Sequence, residues 1–328
     1  MSLVDYFGQT DVGVIRNNNE DYFGIYTPPD GGFVFIVADG LGGHLAGEIA
    51  SRIGVKRLGE MVKNGISGDP ADFFNNAIKT INREIENLGK KDPDKRGMGT
   101  TLSVLYIKDN KAYIAHVGDS RIYKISHGKI ERLTEDHSFV EKLLNDGLIS
   151  EDEARRHPRR NVLLQMVGMK MDVNPQIKGP IPIESGDKFL LCTDGLTNMV
   201  VDAEILELFS RLPVRDAVEY LIDLAKKRGG PDNITVIGVH VKGEETSDTK
   251  DITPLETKEE SFFMEEMVSV NDNKRFKLLL WVILGLLITL LFFTLTITFL
   301  SFKKAKKGEA TSGIVLAPYM KIEGLDDR

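Results

Sequence analysis

Five acidic sites stand at the borders of apolar, strand-like runs, and their side-chain chemistry suits a hard divalent cation. An apolar run ending in Asp-Gly occurs twice, at Asp39-Gly40 and at Asp194-Gly195. Glu20-Asp21 precedes the strand-like stretch 22–26, Asp119 falls between two more such stretches, and Asp232 precedes the last. Carboxylates lifted off strand ends are held rigidly and can converge, which is how a protein gathers oxygen ligands. One Asp in such a place is ordinary turn chemistry. Five sites of the same kind read instead as an all-oxygen centre for Mg²⁺ or Mn²⁺, the ions that prefer carboxylate, carbonyl and water. Cys192 is the only cysteine, so an internal disulfide and a cysteine-based metal site are both excluded.

These acids need a scaffold, and the hydrophobic pattern supplies one up to about residue 242. The run 33–38 is β-rich and opens into a loop at Asp39. Residues 46–62 repeat apolar side chains at helical spacing, and 70–88 do so after a Gly-Asp-Pro start signal, with Phe73, Phe74, Ala77, Ile78, Ile81 and Ile85 expected on one face. Strands are expected at 101–107, 111–117 and 120–125, with Asp109-Asn110 as a hairpin turn. A charged stretch fills 138–161, a strand is expected at 189–192, a helix at 214–227 and a final strand at 234–241. Strands and helices come in blocks rather than strict βαβ alternation, which favours packed sheets covered by helices.

At this level of detail the chain resembles the metal-dependent protein phosphatase family, also called protein phosphatase 2C, in its bacterial form. The carrying motifs are Arg16-Asn17-Asn18-Asn19-Glu20-Asp21, Asp39-Gly40-Leu41-Gly42-Gly43-His44 with Gly47-Glu48 and Ala50-Ser51, Gly99-Thr100-Thr101, Gly118-Asp119-Ser120-Arg121, Thr193-Asp194-Gly195, and Gly230-Pro231-Asp232-Asn233-Ile234-Thr235. They occur in the family's order and span residues 1–242. The resemblance implies an α/β (α+β) fold, an α-β-β-α four-layer sandwich of two antiparallel-rich sheets flanked by helices. It implies a binuclear Mn²⁺/Mg²⁺ centre hydrolysing phosphoserine and phosphothreonine. Asp39 would bridge the two metals and the Gly40 carbonyl would bind one of them. Asp194 and Asp232 would ligate the first metal, and Glu20 would serve the second through water, with Asp21 supporting from behind. Arg16 would hold the substrate phosphate, its planar fork gripping two oxygens. Asp119 with Asp194 resembles the pair that takes a third, weaker metal. Two such ions can lower the pKa of a shared water toward neutrality and aim the hydroxide at phosphorus.

One departure concerns the leaving group. Many eukaryotic members carry a His directly after the Asp-Gly of the second motif, and here that position is Leu41. A nearby group such as His44, or a water, would then supply the proton; His116 and His137 read as structural. Cys192 reads as inert core, since Asn198 stands where a cysteine phosphatase needs its phosphate-cradling Arg. Gly40 to Gly43 lack the Lys-Ser/Thr of a nucleotide P-loop. The charged stretch 139–160 resembles the family's variable flap beside the active site. Two other readings use the same residues: a catalytically silent signalling module of this fold, and a phosphatase of small molecules. Retention of every metal carboxylate argues against the first, and comparing phosphopeptide with sugar phosphate separates the second.

Charge and hydropathy describe the rest of the chain. The net charge is −7, and residues 243–273 alone hold ten acids against Lys250 and Lys258, which reads as a solvated acidic linker. The remainder is close to neutral, so no basic surplus points to a nucleic-acid partner. Residues 278–302 form 25 uncharged positions, about 37 Å as a helix against a hydrocarbon core of about 30 Å. Lys274, Arg275 and Lys277 precede this run, Lys303, Lys304, Lys306 and Lys307 follow it, and Trp281 lies near one end. The expectation is a single transmembrane helix with its basic flank over 274–302, and a short tail, 303–328, outside the cytoplasm. No signal peptide is visible at the front, so the phosphatase-like part is expected on the cytoplasmic face. The partners expected are phosphorylated proteins, the lipid bilayer and a membrane serine/threonine kinase whose work the chain would reverse.

Overall fold

In the computed structural model, residues 3–42, 45–170 and 172–243 are described. The linker beyond 243, the apolar run 278–302, the tail 303–328 and His44 lie outside the described residues. Among the described residues no helix is long and apolar enough to cross a membrane.

Two five-stranded antiparallel sheets form the centre. One holds β1 (Leu3–Asp11), β12 (Ile234–Lys242), β11 (Lys188–Cys192), β8 (Arg121–Ser126) and β9 (Lys129–Arg132), in that order. The other runs β10 (Gln176–Pro182), β7 (Lys111–Val117), β6 (Leu102–Lys108), β3 (Phe33–Ala38) and β2 (Tyr22–Tyr26). A short ladder pairs β4 (Gly40–Leu41) with β5 (Gly99–Thr100). Period-2 alternation divides each strand between two apolar layers. In β3, Phe35 and Val37 face the other sheet, where they join Leu191, Ile237 and Val239. Val34, Ile36 and Ala38 face the opposite way, onto α1 (Ala46–Lys63) and α2 (Pro70–Lys91). On the other flank, Leu190, Cys192, Ile234 and Val236 pack under α6 (Asp202–Arg211) and α7 (Val214–Lys227). Three apolar layers between helix, sheet, sheet and helix make the four-layer sandwich the resemblance implied.

Local chemistry explains the elements that the sequence made visible. Asp69 caps α2 by accepting from the backbone N–H of Ala71 at 2.7 Å, with Pro70 at the first helical position. Asp109 and Asn110 carry φ of 49° and 57°, as a two-residue turn matched to the strand twist requires. Gly238 is a glycine because α7 lies directly over β12: a Cβ there would stand 2.7 Å from the Val214 side chain.

Registers show where the acids end up. Tyr22 pairs with Ala38, so Glu20, Asp21 and Asp39 leave the second sheet at one end. Leu102 pairs with Val117, which brings the Asp119 turn to the same end as Thr101. In the first sheet Cys192 lies between Arg121 and Val236, so Asp119, Asp194 and Asp232 also share one end. Asp11 pairs with Ile234, and the loop 12–20 carrying Arg16 starts there as well. The fold gathers every acid singled out above on one rim of the sandwich.

Candidate metal centre and active site

Asp39 lies at the middle of that rim. Its backbone is clamped from both sides: its N–H donates to Thr101 Oγ1 at 2.8 Å, and its carbonyl accepts from Thr101 N–H at 2.8 Å and Thr100 Oγ1 at 2.9 Å. Thr101 Oγ1 also meets Ser120 Oγ at 2.8 Å, tying Asp39 to the loop that carries Asp119. Gly40 follows in a space with no room for a side chain, since a Cβ would fall 2.2 Å from the Gly47 carbonyl oxygen and 2.5 Å from that of Glu20. Only glycine lets the chain pass between them.

Asp21 and Asp194 are fixed by neutral donors, Glu20 through its backbone and Asp232 by an arginine. Asp21 is buried, and its Oδ2 accepts from Thr193 Oγ1 at 2.8 Å and Thr235 Oγ1 at 2.7 Å. Asp194 opens α5 (Asp194–Thr197) and accepts from Asn198 Nδ2 at 3.0 Å. Glu20 is fixed through its backbone, its N–H on Asn233 Oδ1 at 2.8 Å and its carbonyl taking Ser51 Oγ at 2.6 Å. Its carboxylate lies against the start of α1, where a Cβ on Gly47 would be 2.8 Å from Oε2. Asp232 is half-buried and forms an ion pair with Arg16, Nη2 to Oδ2 at 2.9 Å. Arg16 itself is exposed on the loop.

So many carboxyl groups at one rim raise each other's proton affinity. Burial, then Asp21, Asp194, Asp119 and Asp232 around it, hold Asp39 well above the usual carboxylate range. Asp119 is held well above it by burial, Asp194 and Asp136, with Arg121 opposing. Burial pushes Asp21 up to about 7 and, with Asp232 beside it, Asp194 up to about 6. Glu20 is raised by burial against the pull of Arg16. Asp21 Oδ1 and Asp194 Oδ1 are buried without a hydrogen-bond partner. Buried oxygens left unpaired and facing like charges are costly unless a cation meets them.

An all-oxygen donor set, two orphaned carboxylate oxygens and a shortage of positive charge together fit a hard divalent cation. Among the described residues no three His, Cys, Asp or Glu side chains already stand closed around one point. Asp232 is turned to Arg16, Asp194 to Asn198 and Asp21 to its two threonines.

Beside Asp119 and Asp194 a cleft of about 610 Å³ opens, walled on its far side by α3 (Phe139–Asn145) and α4 (Glu151–Arg156). This flap is rooted next to the acids. His137 N–H donates to the Gly118 carbonyl at 2.7 Å, and Gly118 N–H donates to His137 Nδ1 at 3.3 Å. His116 is buried between Ser103 Oγ and the Glu135 carbonyl, and burial lowers it to about 3, so it stays neutral. Cys192 is buried in the core and burial pushes its thiol up, which leaves it unreactive.

Several residues that organise the site had no role in the sequence reading. Asn233 donates to the carbonyls of Val12 and Asn18, both at 2.9 Å, while accepting from Glu20 N–H, and so pins the Arg16 loop to the Asp232 strand. Thr101, Thr193, Thr235 and Asn198 hold Asp39, Asp21 and Asp194 as described. Thr193 and Asn233 stand next to Asp194 and Asp232 in the sequence, whereas Thr101, Asn198 and Thr235 lie further from any acid.

The geometry defines an acid-lined rim of a four-layer sandwich, suited to divalent cations and open to a cleft. Residues 16–234 match the family model described as protein phosphatase 2C. The chain is 43% identical over 240 residues to the protein phosphatase PhpP of Streptococcus pneumoniae, spanning 72% of this chain and 97% of that one. The crystal structure of the Streptococcus agalactiae serine/threonine phosphatase superposes with a TM-score of 0.69 at 38% identity, covering 73% of this chain and all of that one (100%). The catalytic domain of the serine/threonine protein phosphatase PstP, solved in complex with 2 manganese ions, matches with a TM-score of 0.65 at 32% identity, over 74% of this chain and 100% of the other. The chain belongs to the protein phosphatase 2C family.

Proposed function

We propose that the chain is a metal-dependent protein serine/threonine phosphatase that hydrolyses phosphoserine and phosphothreonine in other proteins. The observation that carries this is the ring of carboxyl groups around Asp39, held mostly by neutral donors and left short of positive charge. Asp39, the Gly40 carbonyl, Asp194, Asp232 and Glu20 would hold two Mn²⁺ or Mg²⁺ ions, and Asp119 with Asp194 a third, weaker one. When bound, the ions supply Lewis acidity that makes water nucleophilic near neutral pH and offsets phosphate charge.

The chain's own residues do the rest. Thr101 and Thr100 fix the Asp39 backbone and so the point from which its carboxylate projects. Asn198 holds Asp194 Oδ2 and leaves Oδ1 free to face a cation. Arg16, exposed and within one ion pair of the cluster, exchanges Asp232 for the phosphoryl oxygens of the substrate. An incoming anion is then met by a guanidinium rather than by bare carboxylates. The test is release of phosphate from phosphothreonine and phosphoserine peptides with and without Mn²⁺. Turnover that needs the metal supports the proposal, and absence of turnover with millimolar Mn²⁺ removes it.

The setting of the enzyme belongs to the same proposal. Residues 274–302 would anchor it in the cell membrane as a single span, with 243–273 as an acidic linker and the phosphatase domain on the cytoplasmic face. The 25 uncharged residues between basic flanks support the span, and one lone cysteine suits a reducing compartment. A membrane serine/threonine kinase sharing its substrates would be the counterpart.

A further inference from the structure

We infer that the flap wall of the cleft is a subsite for a second anionic group on the substrate, a carboxylate or second phosphoryl group within about three residues of the phosphoresidue. This rests on the phosphatase reading and names the substrates that the site prefers. The cleft starts at Asp119 and Asp194, the side of the proposed metal centre that faces it, and reaches Arg155 and Arg160 on the flap. Both arginines are exposed, and among the described residues neither is in an ion pair. Arg160 only touches the Arg155 carbonyl, Nη1 to O at 3.4 Å.

The other arginines of the cleft are already spoken for. Arg121 holds Asp136 at 2.7 Å, and Arg132 is paired with Glu141. Arg159, just outside, lies over the Phe139 ring at 5.6 Å. The segment 155–160 thus puts four arginines into six residues and leaves two facing the cleft without a counter-charge. The dipole of α4 accounts for a basic residue in its last turn, which covers Arg155. It does not account for Arg160, which lies beyond the helix end. Of the two flap acids in the lining, Glu141 is paired with Arg132, and Glu151 is the one that would temper the subsite.

The size and charge of the cleft limit the ligand. A cavity of this volume is about 8–9 Å across, room for two or three residues of extended chain at ~3.3 Å each. A long polyanion would be repelled by the carboxylates at the inner end, whereas a peptide with one phosphate and one further anion places each group against its complement. Arg is suited to either anion because its fork bonds carboxylate and phosphate alike.

The test uses the full chain with Mn²⁺ and a phosphothreonine peptide series carrying Ala, Glu, phosphoserine or Lys at each of three positions on either side. At one position or more, kcat/KM should favour Glu or phosphoserine over Ala by about fivefold, the size expected of exposed charge pairs. Preference for Glu and for phosphoserine separates carboxylate from phosphoryl recognition, and either supports the subsite. The ratio should fall toward one in the Arg155→Ala/Arg160→Ala double variant, rise in Glu151→Gln, and turn toward Lys in Arg160→Glu. Ratios within twofold at every position, or a preference intact in the double variant, overturn the inference. Should no peptide be hydrolysed, the phosphatase reading fails, and the subsite is decided by fluorescence anisotropy of the labelled Glu and Ala peptides in chelator. Tighter binding of the Glu peptide that is lost in the double variant supports it, and equal binding overturns it.

Discussion

Asp39 and Asp119 differ in what surrounds them, and the difference predicts unequal consequences of losing them. Asp39 faces Asp21, Asp194, Asp119 and Asp232 together, so removing it takes the centre out of the cluster. Asp39→Ala should abolish Mn²⁺-dependent phosphopeptide hydrolysis, by about a thousandfold or more, the scale set by losing a principal electrostatic element. Asp119 stands at the cleft side, beside Asp194 and Asp136, and Asp119→Ala should lower turnover while leaving measurable activity. Near-normal rates in Asp39→Ala would remove Asp39 from the centre. A second prediction concerns protons. Asp21 is raised to about 7 mainly by burial, so its contribution to stability is full below about 3.8 and is lost as pH rises through 7. His116, lowered to about 3 by burial and the nearby His137, works in the opposite sense and only below 6.5. Between pH 6.5 and 8 the acid effect therefore acts alone. The metal-free protein should lose about 2 °C of Tm over that range, and Mn²⁺ should shrink the loss. A flat or rising Tm in chelator would contradict the account. The acids themselves were legible because their type is fixed by chemistry and their places by strand ends. The groups that hold them were not, since Thr235 and Asn233 reach partners more than two hundred residues away in the chain, at separations of 214 and 213.

At the scale of elements, the loop 12–20 has little internal structure of its own and depends on Asn233 at the head of β12. Three hydrogen bonds leave that side chain for Val12, Asn18 and Glu20, each between 2.8 and 2.9 Å. At about 1 kcal/mol net per bond, Asn233→Ala should cost roughly 2–3 kcal/mol. It should also raise KM for phosphopeptide, because Arg16 rides on the released loop. Thermal unfolding and initial-rate kinetics of the full chain check both, and an unchanged Tm with unchanged KM would show that the loop is held otherwise. The same scale explains which elements the sequence pattern revealed. Central strands such as β3 and β11 are buried on both faces and read as continuous apolar runs. α2 announced itself through Asp69-Pro70 and a clean apolar stripe. β1, β9 and β10 left weaker marks because each is an edge strand. β10 contains Pro180 and Pro182 and is mostly exposed, a composition that suits an edge and hides the strand. The pattern therefore showed the middle of the sandwich and, of its four edges, only β2.

For the whole molecule, the proposed span over 278–302 would make the position of the enzyme part of its specificity. The acidic stretch 243–273 has 31 residues, and a coil of that length spans about 30 Å root-mean-square. A catalytic domain held at that distance from a bilayer meets membrane-bound phosphoproteins at a far higher effective concentration than soluble ones. Were 278–302 to span a bilayer as proposed, net acidity in the same stretch would keep it away from anionic headgroups, while the lysines and arginine flanking the span would be drawn to them. Two outcomes follow. The full chain should pellet with membranes and resist alkaline carbonate, and removal of residues 274–302 should release it to the supernatant. Toward a short soluble phosphopeptide the two forms should have matching rates, because no residue assigned to the rim lies beyond Lys242. Toward a phosphoprotein anchored in the same vesicles, the released form should be slower by about tenfold or more, the gain that tethering at millimolar effective concentration provides. Equal rates on the anchored substrate would mean that the span fixes an address without affecting the choice of substrate, and a full chain found in the supernatant would remove the span itself.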